Sequence, residues 1–282
     1  MNIGIIGYGV VGKAIEYGFK DKVKILISDP AHEDVSVGVE YLANNSDFIF
    51  VGVPSPMIIE TGKIDTSIMD GVMDEISKCD YTGIVVIKTT MIPSRLDYYA
   101  KTYPSLRICM SPEYLTDANP IRDFIEGPMI VVGSNNEDDA QSVLDLFKDY
   151  SMCKTEKYFK CDLISAGILK YMENCFLALK VTFMNQMYDI LNLSDSNTSW
   201  DELAEIFHGD PRMGNSHYKV PGPDGDRYWG GKCFVKDVNA MINYTCDELD
   251  YDFNLMELAW ELNLKGRKDK DWLKIPGATT NK

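Results

Sequence analysis

Short apolar segments separated by polar ones dominate the first half of the chain. Several are nearly continuous in Ile and Val, which is typical of parallel strands covered on both faces. We predict strands over residues 2–7, 23–29, 47–53, 83–89, 106–111 and 128–133. Apolar residues at helical spacing predict helices over 9–20, 65–78, 94–102 and 137–149. This alternation predicts an α/β domain with a doubly wound parallel sheet.

The pattern becomes helical after about residue 150. Asp162 is placed to cap a long helix that runs to about Leu191, and Ser199 with Glu202 forms a capping-box pattern for a short helix. Two further helices are predicted over 234–249 and 253–266.

A stretch rich in Gly, Pro and aromatic residues, 211–231, interrupts the helical pattern. It predicts a structured loop, because Tyr218, Tyr228 and Trp229 favour burial. We therefore expect three parts, which are the α/β domain over 1–155, an all-helical domain with a long central helix over 156–266, and a polar tail over 267–282.

Composition narrows the class of partner. The chain has 282 residues, of which 45% are hydrophobic, and its formal net charge of −15 argues against nucleic acid and against an anionic membrane surface. An apolar run approaching the ~20 residues that span a bilayer does not occur. The class expected is a soluble globular protein, and the charge does not exclude an anionic small ligand, because a local Lys/Arg cluster can reverse the sign inside one cleft.

Cysteine and histidine usage bears on location and metals. The seven cysteines are an odd number without a C-x-x-C pair, so we expect no disulfide framework and a cytoplasmic location. The three histidines have no ligand spacing with those cysteines, so no metal site is expected. The chain starts directly with a predicted strand, and no leader peptide is expected.

A glycine fingerprint follows the first predicted strand and opens the first predicted helix. In the run Gly7-Tyr8-Gly9-Val10-Val11-Gly12, the glycines permit a tight turn, close approach of a pyrophosphate and close helix packing. Asp29 ends the next strand, where its carboxylate would accept from both ribose hydroxyls. No Arg follows Asp29, which favours NAD over NADP. The alternative is a glycine turn in an unliganded α/β fold.

Cys233 follows Gly230 and Gly231 at a predicted helix start, with Asp237 one helical turn later. The helix dipole and the neighbouring Lys232 and Lys236 favour a thiolate nucleophile. The alternative for Cys233 is a small buried hydrophobic residue, which is the more common role of a free cysteine.

Three further groups of polar residues are candidates for catalysis. Lys170 and Asn174 lie four apart on the long helix and could stabilise an oxyanion, although a solvated helix face is the alternative. Glu113 and Asp117 follow a strand end and could act as a base and a water-positioning group, or simply be acids at a helix start. Thr90 could offer a hydroxyl to the same water, or be a plain strand-end Thr.

Taken in order, these segments resemble the nucleotide-sugar dehydrogenases over residues 1 to about 265. The resemblance rests on the glycine fingerprint, Val53-Pro54-Ser55-Pro56, Lys88-Thr89-Thr90, Ser111-Pro112-Glu113-Tyr114-Leu115, Lys170 with Asn174, Pro211-Arg212-Met213-Gly214, and Gly230 to Asp237. It implies an N-terminal Rossmann domain, an all-helical domain with a long central helix, and oxidation of a sugar C6 alcohol to the carboxylate with two NAD reduced.

The resemblance also implies a role for each matching residue. Cys233 would form a thiohemiacetal and then a thioester, Lys170 and Asn174 would stabilise oxyanions, and Asp237, Glu113 and Thr90 would position or activate water. Cofactor contacts are implied for Gly7, Gly9, Val10, Val11, Gly12, Asp29, Val53, Pro54, Thr90 and Lys236. Substrate contacts are implied for Glu113, Tyr114, Leu115, Asp117, Lys170, Asn174, Arg212, Tyr218 and Gly230.

Two assembly features come from the resemblance as well. Arg212 would reach the substrate of a neighbouring subunit, and the long helix would form a homodimer core. Members of the family carry a third domain that closes over the uridine diphosphate, and we expect this chain to lack it. The loop before Gly230 holds Asp224 and Asp226, which would repel a diphosphate unless they point away from it.

Two alternatives remain open. A two-electron 3-hydroxyacid-type dehydrogenase shares the fingerprint and the Lys-x-x-x-Asn pattern, but it has no need of Cys233 with Asp237. The other alternative is a non-catalytic NAD-binding subunit that needs a partner.

Overall fold

The computed structural model describes residues 1–116 and 118–282, and over these residues the chain divides into two compact units. The first unit comprises 1–55 and 66–170, and the second comprises 56–65 and 171–282. The second unit thus includes a short segment from the N-terminal half of the chain, residues 56–65, and the long helix contributes to both units.

The strands in chain order are β1 (Asn2–Ile6), β2 (Lys24–Ser28), β3 (Phe48–Val51), β4 (Met57–Ile58), β5 (Ile84–Ile87), β6 (Arg107–Met110), β7 (Ile130–Ser134), β8 (Tyr158–Cys161) and β9 (Thr279–Thr280). The helices are α1 (Val10–Phe19), α2 (Val39–Asn44), α3 (Ser67–Ser77), α4 (Pro93–Thr102), α5 (Pro120–Glu126), α6 (Glu137–Tyr150), α7 (Leu163–Leu193), α8 (Trp200–His208), α9 (Phe234–Leu249) and α10 (Asn254–Gly266).

The first unit is an α/β layer structure, as predicted. Its sheet has the order β2-β1-β3-β5-β6-β7-β8, and every predicted strand and helix of this region is present. The neighbours from β2 to β6 pair in parallel, whereas β7 pairs antiparallel to β6 and β8 then pairs parallel to β7. The predicted wholly parallel sheet therefore differs at this edge, because an apolar strand has the same sequence pattern in either direction.

The strand order reverses between β1 and β3. β2 lies on one side of β1 and β3 on the other, so the carboxyl ends of β1 and β3 border the crevice where such sheets bind ligands. An aromatic cluster of Phe19, Phe50, Phe124 and Phe147 packs beneath the sheet and fixes α1, α5 and α6 on it.

The second unit is mainly helical, and the caps of the helices after residue 161 agree with the sequence patterns. Asp162 accepts a hydrogen bond from the Ser165 backbone N–H at 2.9 Å just before α7, and Ser199 with Glu202 forms a capping box at the start of α8. α9 and α10 occupy the predicted positions. The apolar core of this unit includes Trp229, together with residues of α7, α9 and α10.

Residues 267–282 differ from the expected tail, because they pack into the second unit. β9 pairs in parallel with β4, with Met57 opposite Thr279. Trp272 is 3% exposed and contacts the ring of Trp260 at a centroid distance of 5.7 Å. Because the segment is mostly polar, its sequence does not indicate that Trp272 is buried. In the described parts of the chain, no helix has the length and apolar character to cross a membrane.

Candidate active site

The glycine fingerprint forms a close-packed turn between β1 and α1. Gly7 has φ +92, and a Cβ there would lie 2.6 Å from the carbonyl oxygen of Gly52, which follows β3. A Cβ on Gly12 would lie 2.2 Å from the carbonyl oxygen of Gly7. Gly9 has open space around it and has no side chain to cap α1, so the backbone N–H groups of the first turn can face an anion.

Asp29 lies beyond the end of β2, beside this turn. Its Oδ2 accepts from the Tyr8 backbone N–H at 2.6 Å, and its Oδ1 accepts from the Ala31 backbone N–H at 2.7 Å. Burial on its own would raise the pKa of Asp29, but these two hydrogen bonds and His32 outweigh it and lower the pKa. The carboxylate is therefore ionised and keeps lone pairs for ribose hydroxyls, so the turn and Asp29 fit a dinucleotide.

The segment after β3 is tied to the segment after β5. The Thr89 hydroxyl donates to the carbonyl oxygen of Val53 at 3.0 Å, and Ser55 Oγ donates to the carbonyl oxygen of Thr90 at 3.4 Å. Val53 is buried and Pro54 is exposed. Among the other expected cofactor residues, Val10 is exposed at the start of α1 and Val11 packs against the core.

Glu113 is paired with a buried cation that the sequence did not single out for a role. Lys88 Nζ lies 3.4 Å from Glu113 Oε2 and donates to Ser111 Oγ and to the Pro112 carbonyl oxygen, each at 3.3 Å. The other carboxylate oxygen accepts from the backbone N–H groups of Tyr114 and Leu115. Because Lys88 and Ser111 follow adjacent parallel strands, the sheet itself brings this pair together.

Around this pair, the structure brings some of the expected residues together. Lys170 Nζ lies 5.2 Å from the centre of the Tyr114 ring, within cation–π range. Leu115 packs against the core of the first unit. Asp117 lies outside the described residues.

In the second unit, Cys233 occupies the N-cap position of α9 and is exposed. It follows Gly231, whose φ of +74 favours glycine. Asp237 is 1% exposed, and its carboxylate accepts from Asn174 Nδ2 and pairs with Lys236 Nζ. Cys233 and Asp237 are joined by the first backbone hydrogen bond of α9, at 2.9 Å, but their side chains differ sharply in exposure.

The acidic loop before Gly230 is held through groups that sequence reasoning missed. Asp224 pairs with Arg267, and Asp226 accepts from the backbone N–H groups of Lys268 and Asp269. Arg227 donates to Asn185 and Asp189 on α7. Because these charged residues are single and lie far apart in the chain, nothing in the sequence pattern indicates that they pair.

The remaining expected substrate residues lie in this unit. Arg212 belongs to a short 3-10 turn, and its side chain is 80% exposed and paired with Asp210. The half-buried Tyr218 packs against the ring of His208 at 4.2 Å. A Cβ on Gly230 would lie 2.3 Å from Asp271 Oδ1, so only glycine fits there.

A glycine cradle at the switch point of a doubly wound sheet, followed by a helical unit, places the chain among the dinucleotide-binding dehydrogenase folds. Residues 15–151 match the NAD binding domain of the UDP-glucose/GDP-mannose dehydrogenase family, and residues 164–265 match its central domain. The chain belongs to the UDP-glucose/GDP-mannose dehydrogenase family, and NAD is the cofactor of the domain that carries the cradle.

Individual relatives agree with the family. UDP-glucose 6-dehydrogenase of Rickettsia felis is 30% identical over 201 residues, covering 70% of this chain and 42% of the relative. UDP-glucose dehydrogenase of Pyrobaculum islandicum superimposes with a TM-score of 0.79 and 19% identity, covering 94% of this chain and 68% of that one. The chain thus spans about half the length or less of the curated relatives it matches, such as 42% and 45% of two Rickettsia enzymes.

The fold is also shared with a different dehydrogenase class. The 3-hydroxyisobutyrate dehydrogenase of Mycobacterium tuberculosis superimposes with a TM-score of 0.71 and 12% identity, covering 94% of this chain and 92% of that chain. At this identity the likeness concerns the fold alone.

Proposed function

We propose that this protein oxidises the C6 alcohol of a nucleotide sugar, UDP-glucose or a close analogue, to the carboxylate. The observation that carries the proposal is the exposed thiol of Cys233 at the N-cap of α9, one turn before the buried Asp237 that holds Asn174. An alcohol-to-aldehyde oxidation has no use for this thiol, whereas oxidation of an aldehyde requires a nucleophile to add first.

The chemistry of the chain's own residues follows from that thiol. Bound NAD supplies the hydride acceptor, first for the alcohol carbon and then for the thiohemiacetal carbon. Between these events Cys233 Sγ adds to the aldehyde carbon, and the thiol proton is transferred to the new oxygen. Water then adds to the resulting thioester, the carbon–sulfur bond breaks, and the carboxylate and the free thiol are released. Over the whole reaction one alcohol, one water and two NAD give one carboxylate, two NADH and three protons.

Lys170 and Asn174 are the proposed oxyanion stabilisers. The Lys170 ammonium and the Asn174 amide can donate hydrogen bonds to the alkoxide and to the tetrahedral oxygens as negative charge develops. The hydrogen bond from Asn174 Nδ2 to Asp237 supports this role, because it sets the orientation of the amide.

Thr90 and Glu113 are the proposed water-positioning groups, together with Asp237. The ion pair with Lys88 supports this role, because it holds the Glu113 carboxylate in one position. The proposed substrate contacts are Tyr114, Leu115, Asp117, Arg212, Tyr218 and Gly230. The proposed cofactor contacts are Val53, Pro54, Thr90 and Lys236. Lys236 is paired with Asp237, so contact with the cofactor would require it to turn away from that carboxylate.

We also propose a cytoplasmic homodimer that associates through α7. Met172, Phe176, Phe183 and Ile190 recur on one stripe of this helix and are exposed by 61%, 64%, 50% and 57%. An apolar stripe of this length is typical of an interface. Molar mass by light scattering tests the assembly, and a Phe176→Glu and Phe183→Glu double variant should be monomeric.

The competing functions differ in product. A two-electron hydroxyacid dehydrogenase would need Lys170 and Asn174 but would tolerate loss of Cys233, and a non-catalytic subunit would bind NAD without turnover.

The test is incubation with NAD and a panel of UDP-sugars, GDP-sugars and small hydroxy acids, with product masses measured. A sugar-nucleotide carboxylate supports the proposal. Turnover restricted to hydroxy acids and insensitive to thiol alkylation, or none until a partner is added, would overturn it.

A further inference from the structure

Residues 267–273, which follow α10, contact the loop that leads to Cys233. We call these residues the anchor segment. They lie far from residues 224–231 in the chain but adjacent to them in the second unit, where Arg267 and Asp271 supply the polar contacts.

Arg267 is a buried guanidinium whose donors are distributed over the loop and the anchor segment. Its side chain is 2% exposed, and Nη2 lies 2.6 Å from Asp224 Oδ2 and 3.1 Å from Asp271 Oδ2. Nε donates to the Asp269 carbonyl oxygen at 2.8 Å, and Nη1 donates to the Arg227 carbonyl oxygen at 3.4 Å. Because a buried guanidinium needs acceptors, this arrangement fixes the loop against the segment.

Asp271 binds the backbone immediately before the nucleophile. Its two carboxylate oxygens lie 3.2 and 3.1 Å from the Gly231 nitrogen and accept its N–H. The fit is close at the preceding residue, since a Cβ on Gly230 would lie 2.3 Å from Asp271 Oδ1 and 2.4 Å from the guanidinium carbon of Arg267. Cys233 is two residues further along, so the position of its backbone depends on this bond.

Apolar packing holds the anchor segment independently of these charges. Trp272 belongs to the buried core of the second unit, where Trp260 lies between it and Trp229 at centroid distances of 5.7 and 5.6 Å. A substitution that removes the carboxylate of Asp271 should therefore leave the segment in place and release only the loop.

We propose that Arg267 and Asp271 are positioning residues that hold Cys233 at the start of α9 in the geometry needed for addition to the aldehyde. The inference rests on the proposed function for its catalytic consequence. The anchor segment should therefore affect the aldehyde step and not the alcohol step, because only the aldehyde step uses the thiol.

The experiment compares Asp271→Leu, Asp271→Asn and wild type in the two half-reactions, which are measured as the first-turnover formation of NADH from UDP-glucose and as the oxidation of its 6-aldehyde supplied as substrate. Asp271→Leu should lose about tenfold or more in kcat for the aldehyde while its KM for NAD is unchanged, because displacement of a nucleophile by an ångström slows addition. Asp271→Asn keeps an oxygen that accepts the Gly231 N–H, so it should recover most of the rate.

Asp269→Leu is the matched control, since this side chain lies on the same segment and pairs with the exposed Lys274. It should retain the wild-type aldehyde rate. Equal aldehyde rates for Asp271→Leu and Asp269→Leu overturn the proposal. So does a loss in Asp271→Leu that is equal in both half-reactions, because a general structural defect would lower both.

A second readout keeps the inference separate from the proposed function. Alkylation by iodoacetamide needs no turnover, and the exposed Cys246 of α9 provides an internal reference thiol. Relative to Cys246, Cys233 should react about threefold or more slowly in Asp271→Leu, as its sulfur moves away from the helix N-terminus. An unchanged ratio overturns the positioning role even if the wild type is inactive, whereas inactivity with a changed ratio counts against the proposed function alone.

Discussion

The side-chain amide of Asn174 donates a hydrogen bond to the buried carboxylate of Asp237, joining α7 to α9 within the second unit. Lys236 supplies the countercharge on the other carboxylate oxygen. A buried carboxylate is stable only when its lone pairs are satisfied, so these side chains form one interdependent group.

Replacement of Asn174 by Leu should therefore destabilise the fold as well as impair catalysis. Loss of the donor leaves Asp237 Oδ2 without this partner, which should cost about 1–3 kcal/mol in the free energy of unfolding measured with urea. Asn192→Leu is the control, because this exposed amide on the same helix donates to a local backbone carbonyl. Equal stability of the two variants would contradict the buried bond.

Gly12→Ala should abolish NAD binding, since its Cβ would meet the Gly7 carbonyl oxygen at 2.2 Å and distort the cradle. Gly71→Ala, in helix α3 with open space around it, should bind NAD normally and gain about 0.5–1 kcal/mol in stability from helix propensity. Calorimetric titration with NAD and thermal melting measure both effects. Wild-type NAD affinity in Gly12→Ala would show that the turn does not bind the dinucleotide.

Lys88→Met should leave the Glu113 carboxylate without its buried cation and lower the midpoint of urea unfolding. Lys78→Met is the control, because this lysine pairs with Asp74 on the exposed surface, where ion pairs contribute little. The double variant with Glu113→Gln should recover part of the loss, which a double-mutant cycle measures. Strict additivity of the two single changes would rule out the coupling.

These coupled pairs mark the limit of what the sequence could predict. Strand and helix positions followed from local patterns, as with the caps at Asp162 and Ser199. The pairing of Lys88 with Glu113 depends on two strands becoming neighbours, and the burial of Arg267 depends on a loop about forty residues earlier. The role of Trp272 was hidden for the same reason, because a lone Trp in a polar segment has no periodicity.

Asp29 should make stability depend on pH. Its pKa in the folded state is lower than the ordinary value of 3.8, so the ionised carboxylate stabilises the fold. This contribution is complete above that value and is lost as the pH falls through the folded-state pKa. The difference in unfolding free energy between wild type and Asp29→Asn should thus shrink as urea unfolding is repeated from about pH 7 down to about pH 3. A constant difference over this range would contradict the assignment.

The central claim, that Cys233 makes the oxidation a four-electron process, is tested most directly by the yield of NADH per molecule of UDP-glucose consumed. With wild-type protein and excess NAD, two NADH and one uronic acid should form for each UDP-glucose. Cys233→Ser, which replaces the thiol by a weaker nucleophile, should form no acid. One NADH per sugar with an aldehyde product from the wild type, or undiminished acid formation by Cys233→Ser, would contradict the account.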